Sequence, residues 1–177
     1  MKFKILSLEK DNELRSLIDQ CITNDIHCHP DYLHLFSEYL SAEGVYAFFG
    51  DKNNYILTPF LKQKLPCHEK DAQYFDLISP WYYGGPIYYA NPDINLENLK
   101  YWRRDFDKYC QENNIVSEIQ RLNPIIDNQF LFDDDIRLSY NRNIVFIDLK
   151  KELNQIYEVY AHKARKNIKK AERSGLK

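Results

Sequence analysis

Apolar residues recur along this chain in two ways. Some fall at spacings of three and four, which line one face of a helix, and others form short runs bounded by turn residues, which suit strands. Phe3 to Leu8 reads as a first strand. Asp11 can cap a helix running to about Cys21, with Leu14, Leu17, Ile18 and Cys21 on one face. Pro30 suits the first turn of a second helix, where its missing N–H does no harm, and Tyr32, Leu33, Leu35, Phe36, Tyr39 and Leu40 follow it. Gly44 is expected to end that helix. Val45–Phe49 and Tyr55–Leu61 then predict a hairpin across the turn Gly50–Asn54. Tyr74 to Ser79 predicts another strand, and Pro80-Trp81-Tyr82-Tyr83-Gly84-Gly85-Pro86 an aromatic, glycine-rich turn.

The second half continues the pattern. A long helix is expected from Asn95, with Leu96, Leu99, Trp102, Phe106 and Tyr109 on one stripe. Ile115 to Leu122 predicts a strand, and Pro124 to Phe132 a loop or short helix. Ile136–Tyr140 and Asn143–Leu149 predict a closing hairpin. A last helix is expected from near Lys151, carrying Leu153, Ile156, Tyr157, Tyr160, Ala164, Ile168 and Ala171. The order β-α-α-β-β-β-α-β-(α)-β-β, then a further helix, predicts an α/β (α+β) domain with a mixed, mostly antiparallel sheet flanked by helices.

Composition adds a class and an asymmetry. At 177 residues, 44% hydrophobic and 28% charged, the chain is globular and long enough for a sizeable core. Fourteen tyrosines against five glycines favour amphipathic surfaces whose hydroxyls can stay wet, in a polar cleft or as half-buried core. Between Ala161 and Lys177 stand seven basic residues and one acid, so of the net −2 this tail carries +6 and residues 1–160 carry −8. The start of the chain has no apolar run of signal-peptide length, and no stretch approaches a membrane span of about 20 residues. Cys21, Cys28, Cys67 and Cys110 follow no framework spacing. The expectation is a cytoplasmic protein with free thiols.

Three stretches carry a family resemblance. Asp76-Leu77-Ile78-Ser79-Pro80-Trp81-Tyr82-Tyr83-Gly84-Gly85-Pro86-Ile87 resembles the strand and turn in the first domain of Fem-like transferases. These comprise the peptidoglycan bridge-forming aminoacyltransferases and FemAB-related acyltransferases with tandem GNAT-like domains. Ser117-Glu118-Ile119-Gln120-Arg121-Leu122-Asn123-Pro124 is similar to their next strand, which often carries an arginine before a proline. Ala164-Arg165-Lys166-Asn167-Ile168-Lys169-Lys170-Ala171-Glu172-Arg173-Ser174-Gly175-Leu176 looks like their basic joining helix. The element order up to about Lys150 is likewise similar to the GNAT acyl-CoA N-acyltransferase fold.

The resemblance implies a GNAT-like domain over residues 1–150, the first half of a tandem pair. Residues 151–177 would be a linking basic helix leading to a second domain that is absent. Gly175 stands where a helix C-terminus favours positive φ, and Leu176-Lys177 would open a following strand. It further implies an N-acyltransferase or aminoacyltransferase acting on an amine of a cell-wall or surface-polysaccharide precursor. Acyl-CoA or aminoacyl-tRNA would be the donor of the complete enzyme. The donor site and catalytic machinery would lie in or against the second domain, leaving this chain mainly to bind a sugar- or peptide-type acceptor, with no cofactor of its own.

Each candidate residue also has a plainer reading. Pro86 has no N–H to donate and no basic residue lies between Asp76 and Lys100, so Trp81-Tyr82-Tyr83-Gly84-Gly85-Pro86 is a poor pyrophosphate nest. Its rings and glycines suit close approach of an acceptor, or a tight turn packed under its own rings. Arg121 can grip a carboxylate or phosphate with two parallel bonds, or pair with Glu118. Arg165, Lys166 and Lys169, with Lys163 and Lys170, can hold precursor phosphates or tRNA, or form a solvated helix face. His27-Cys28-His29 lacks a second cluster for a zinc site, and Cys67-His68 lacks an orienting third group for a nucleophile. No residue stands out as a general base. A non-catalytic sugar- or peptide-binding module is the alternative to the transferase. The acidic body argues against a dedicated nucleic-acid binder, and pairing of two copies stays open.

Overall fold

Two apolar runs with no polar residue at every second position are what a strand buried on both faces needs, and these two form the middle of the sheet. A computed structural model of the chain describes residues 2–8, 11–21, 25–66, 73–90, 101–132 and 137–176. Strands β2 (Glu43–Gly50) and β3 (Asn54–Lys64) pair antiparallel, and both are buried over most of their length. Tyr46, Phe48, Tyr55, Leu57 and Leu61 point to one face, where α1 (Asp11–Gln20) and α2 (Pro30–Leu40) supply Leu14, Ile18 and Leu33. Val45, Ala47, Phe49, Ile56 and Phe60 point to the other, against Trp102 and Phe106 of α3 (Trp102–Glu112). The period-two alternation of strand side chains thus feeds two apolar layers.

β1 (Lys2–Ser7) pairs antiparallel with β2 on the outer side. The far edge of β3 is shared. Its last residues pair with β4 (Phe75–Ile78) and its first with β5 (Ile87–Ala90), both antiparallel. β6 (Ile115–Ile119) then pairs with β4 in parallel, giving the order β1-β2-β3-β4-β6 with β5 beside β3. The architecture is therefore a mixed α/β sheet, mostly antiparallel, packed between helices. Among the described residues no helix is long and apolar enough to cross a membrane.

Four local expectations need correction. Helix α2 ends at Leu40 on Ser41, which adopts a left-handed φ of 50°, and Gly44 lies inside β2. A Cβ there would meet Leu8 Cδ1 at 2.4 Å, so close packing of the β1 end selects the glycine. β6 stops at Ile119, short of Leu122, and leaves Arg121 outside the strand. Residues 137–148 form no strand, so the predicted closing hairpin is absent there. Val145 is 96% exposed, because an alternating apolar run becomes a strand only where a ladder partner supplies its hydrogen bonds. Finally, the last helix is two, α4 (Leu153–Val159) and α5 (His162–Arg173), broken where Tyr160 and Ala161 take extended backbone. No Pro or Gly marks that break, so periodicity ran straight through it. The predicted helix start at Asn95, with Leu96 and Leu99, and the outset of the hairpin at Ile136 lie outside the described residues.

The chain divides into two compact units, Met1–Arg137 and Leu138–Lys177. The second holds α4 and α5. Gln155 Oε1 accepts from the Glu152 N–H to start α4. Gly175 closes α5 at φ 78°, with the Leu176 N–H reaching back to the Ala171 carbonyl at 3.1 Å.

Candidate functional site

The edge of β3 fixes where the aromatic turn goes. Ile78 stands opposite Leu61 and Ile87 opposite Leu57, so β4 and β5 are one strand line interrupted by a loop over residues 79–86. Pro80 and Pro86 have no N–H for a ladder, which favours leaving the sheet between them. The loop is tied down by its backbone. The Ser79 N–H donates to the Ile119 carbonyl at 2.9 Å, and the Gly84 N–H to the Arg121 carbonyl at 2.8 Å. The Arg121 N–H donates to Ser79 Oγ at 3.2 Å, and buried Asn128 donates from Nδ2 to the Pro86 carbonyl at 3.0 Å.

Those anchors leave two rings in the open. Trp81 is 51% exposed and Tyr82 61%. Tyr82 has φ of 72°, flanked by a hydrogen bond from the Tyr83 N–H to the Trp81 carbonyl at 3.2 Å. That is a γ-turn around a bulky residue, a backbone state costing on the order of 1–3 kcal/mol and found mostly where surrounding structure and function impose it. The glycines answer a steric demand. A Cβ on Gly84 would meet Ser79 Cβ at 2.8 Å, and one on Gly85, whose φ is 94°, would meet Leu122 Cδ2 at 2.6 Å. Gly84 lets the loop fold back on its own start at Ser79 and Pro80, and Gly85 lets it press against Leu122 and Asn128, both packing roles.

A pair that sequence reasoning missed stands beside the loop. The short 3-10 turn Ile26–Cys28 begins at Asp25, whose Oδ1 accepts from the His27 N–H at 3.1 Å and lies 2.7 Å from His27 Nδ1. Asp25 Oδ2 accepts from Asn123 Nδ2 at 2.7 Å. Asp25 and His27 are mostly buried, with side-chain exposures of 11% and 20%. Three tyrosine rings surround the imidazole: Tyr32 at 5.1 Å, Tyr83 at 5.4 Å and Tyr82 at 6.5 Å between centroids. Tyr32 donates from Oη to the Trp81 carbonyl at 2.7 Å, tying α2 to the loop. Burial, with Tyr82 and Asp25 nearby, raises the Tyr32 hydroxyl above its ordinary pKa, so it stays a donor. The available signal was Asp25-x-His27, which by itself looks like a turn cap. Asn123 is remote in sequence and only the fold brings it in.

The other candidates are placed as follows. Arg121 is exposed, two residues past the end of β6, and its backbone anchors the loop. Glu118, its suggested partner, is instead 2.5 Å from Arg103 of α3. The loop Trp81–Gly85 and Arg121 are thus together in the first unit. Arg165, Lys166 and Lys169 lie on α5 in the second, with Lys166 and Lys169 exposed and Arg165 half-buried. Around His27-Cys28-His29 the three side chains go separate ways. His27 turns to Asp25, Cys28 is buried with its thiol pushed up chiefly by that burial, and His29 Nδ1 accepts from the Asp31 N–H at the start of α2. Among the described residues no three His, Cys, Asp or Glu side chains are grouped to hold a metal. Cys67 and His68 lie outside the described residues.

No family model matches the chain, and no curated protein matches it. The crystal structure of a mutant BH1408 protein from Bacillus halodurans is similar over 81% of this chain and 100% of its own, at 8% identity and a TM-score of 0.37. A likeness at that level carries no argument about fold or function.

Proposed function

We propose that this chain is the acceptor-binding half of a GNAT-type, Fem-like N-acyltransferase or aminoacyltransferase. Its acceptor is the amine of a cell-wall or surface-polysaccharide precursor, and its donor an acyl-CoA or aminoacyl-tRNA held elsewhere in the complete enzyme. The observation that carries this reading is the loop over residues 79–86. It interrupts a strand of the sheet, keeps the rings of Trp81 and Tyr82 in solvent, and holds one of them in a strained backbone beside Asp25 and His27. The mixed, mostly antiparallel sheet between helices agrees with this reading at the level of fold class, and the exposed cations of α5 suit phosphates of such a precursor or of tRNA. Chemistry of this kind asks chiefly for positioning of the two reactants.

Titration with a nucleotide-linked muramyl pentapeptide tests it. Binding should change Trp81 emission saturably, with Trp102 as a constant background, and Trp81→Phe should remove the change. Adding acyl-CoA should leave that affinity as it was if the donor is held elsewhere. Absence of any response from Trp81 to this precursor and to its sugar and peptide fragments would sink the reading. Tight binding that persists when the complete protein shows no transfer favours a non-catalytic binding module instead.

A further inference from the structure

We propose that His27 is the proton-accepting residue of this site, that it serves a primary amine carried on a ring-bearing ligand, and that Asp25 and Asn123 are positioning residues. This rests on the acceptor-binding reading of the loop. An ionised carboxylate only accepts hydrogen bonds, and both oxygens of Asp25 are engaged. Oδ1 faces the His27 N–H and Nδ1, and Oδ2 faces Asn123 Nδ2. Nδ1 therefore carries a hydrogen, and in the neutral form of the ring the lone pair is on Nε2. No hydrogen bond occupies Nε2 among the described residues. This is the arrangement of a base oriented by a third group.

Among the described residues, the ring and ion-pair contacts of the imidazole are Asp25 from its own turn, Tyr32 from α2, and Tyr82 and Tyr83 from the loop, none of them a cation. Tyr32 already donates its hydroxyl proton to the Trp81 carbonyl, so that proton is not spent on Nε2. Aromatic faces and the Asp25 charge both favour a positively charged ligand group. The exposed faces of Trp81 and Tyr82 give a ring beside that group something to stack on.

Within transfer, the step balances as follows. The ammonium gives one proton to Nε2, freeing the nitrogen lone pair. That pair bonds to the carbonyl carbon of an acyl thioester or aminoacyl ester as the bond from that carbon to the leaving sulfur or oxygen breaks. A second N–H proton departs with the leaving group, the third stays on the amide, and the imidazolium returns its proton to solvent.

Imidazole ¹⁵N NMR of the chain, with D-glucosamine as probe and D-glucose as the amine-free control, tests this. Above the histidine titration, His27 should show a protonated Nδ1 and a bare Nε2, and Asp25→Asn or Asn123→Ala should mix the tautomers. Glucosamine should move both the His27 Nε2 and Trp81 indole resonances, and glucose the Trp81 resonance alone. His27→Gln should weaken glucosamine about tenfold or more and leave glucose unchanged. An Nε2–H tautomer in the unaltered chain overturns the proposal. So does a Trp81 response to both sugars with Nε2 silent, which leaves acceptor binding standing. A Trp81 silent to both sugars and to the muramyl pentapeptide overturns both.

Discussion

The two tryptophans of this chain divide its aromatic residues into two economies of structure. Trp102 begins α3 and is 1% exposed. Its Nε1 donates to the Leu131 carbonyl at 2.7 Å, and its ring lies against Phe106 and Phe132. Trp81 is half in solvent and stacked along Phe36 at 6.3 Å, and among the described residues its hydrogen bonds run through its backbone carbonyl, which accepts from Tyr32 Oη and the Tyr83 N–H. In the core, rings remove surface from water. At the loop, backbone anchors hold rings against the pull toward burial, at a cost visible in the φ of Tyr82. The difference teaches that ring content alone assigns no role here; what matters is whether the polar atoms around a ring hold the ring or hold the loop.

The comparison breaks most easily at its buried end. Trp102→Ala should destabilise the chain by about 3–5 kcal/mol, read by denaturant unfolding, because a large ring and the partner of the Leu131 carbonyl are both lost. Gly85→Ala should cost about 1–3 kcal/mol, since Ala must adopt a φ of 94° and push into Leu122 and Asn128. Its sharper readout is Trp81 emission, which should shift as the loop moves. Asn123→Ala should cost about 1–2 kcal/mol by leaving Asp25 short of a donor in a mostly buried place. Trp81→Ala should change stability by no more than about 0.5 kcal/mol, because the ring is half-exposed, while abolishing the ligand-linked signal. A loss of several kcal/mol there would put Trp81 with the core and erase the distinction.

The smallest effect concerns pH. Arg15, hydrogen-bonded to Asp31 at 2.5 Å, holds the Asp31 carboxyl below its ordinary value. A carboxylate with a lowered folded pKa adds stability above its unfolded pKa and loses it as pH falls through the folded value. Asp31→Asn should therefore differ slightly from the parent near neutrality, and thermal melts should converge as the pH is lowered. Asp31 is exposed, so screening by salt should shrink the difference too.

The sequence by itself determined the layered body. The runs Val45–Phe49 and Tyr55–Leu61, and the helical spacings around Leu14, Leu33 and Phe106, each state locally which face must leave water, and burial follows that statement. Positive φ at Gly175 was legible for the same local reason. The aromatic loop was legible as a turn, and so was its ring content. What only the tertiary structure decided were the things that depend on a partner far along the chain. Residues 137–148 alternate like a strand and form none, because a strand exists only with a ladder. Glu118 went to Arg103 and not to Arg121, since α3 packs across β6. Asp25 and His27 are two residues apart and look like a turn cap until Asn123, 98 residues away from Asp25, closes on the carboxylate. Periodicity encodes what a residue needs from water; it does not encode which distant atom will meet it.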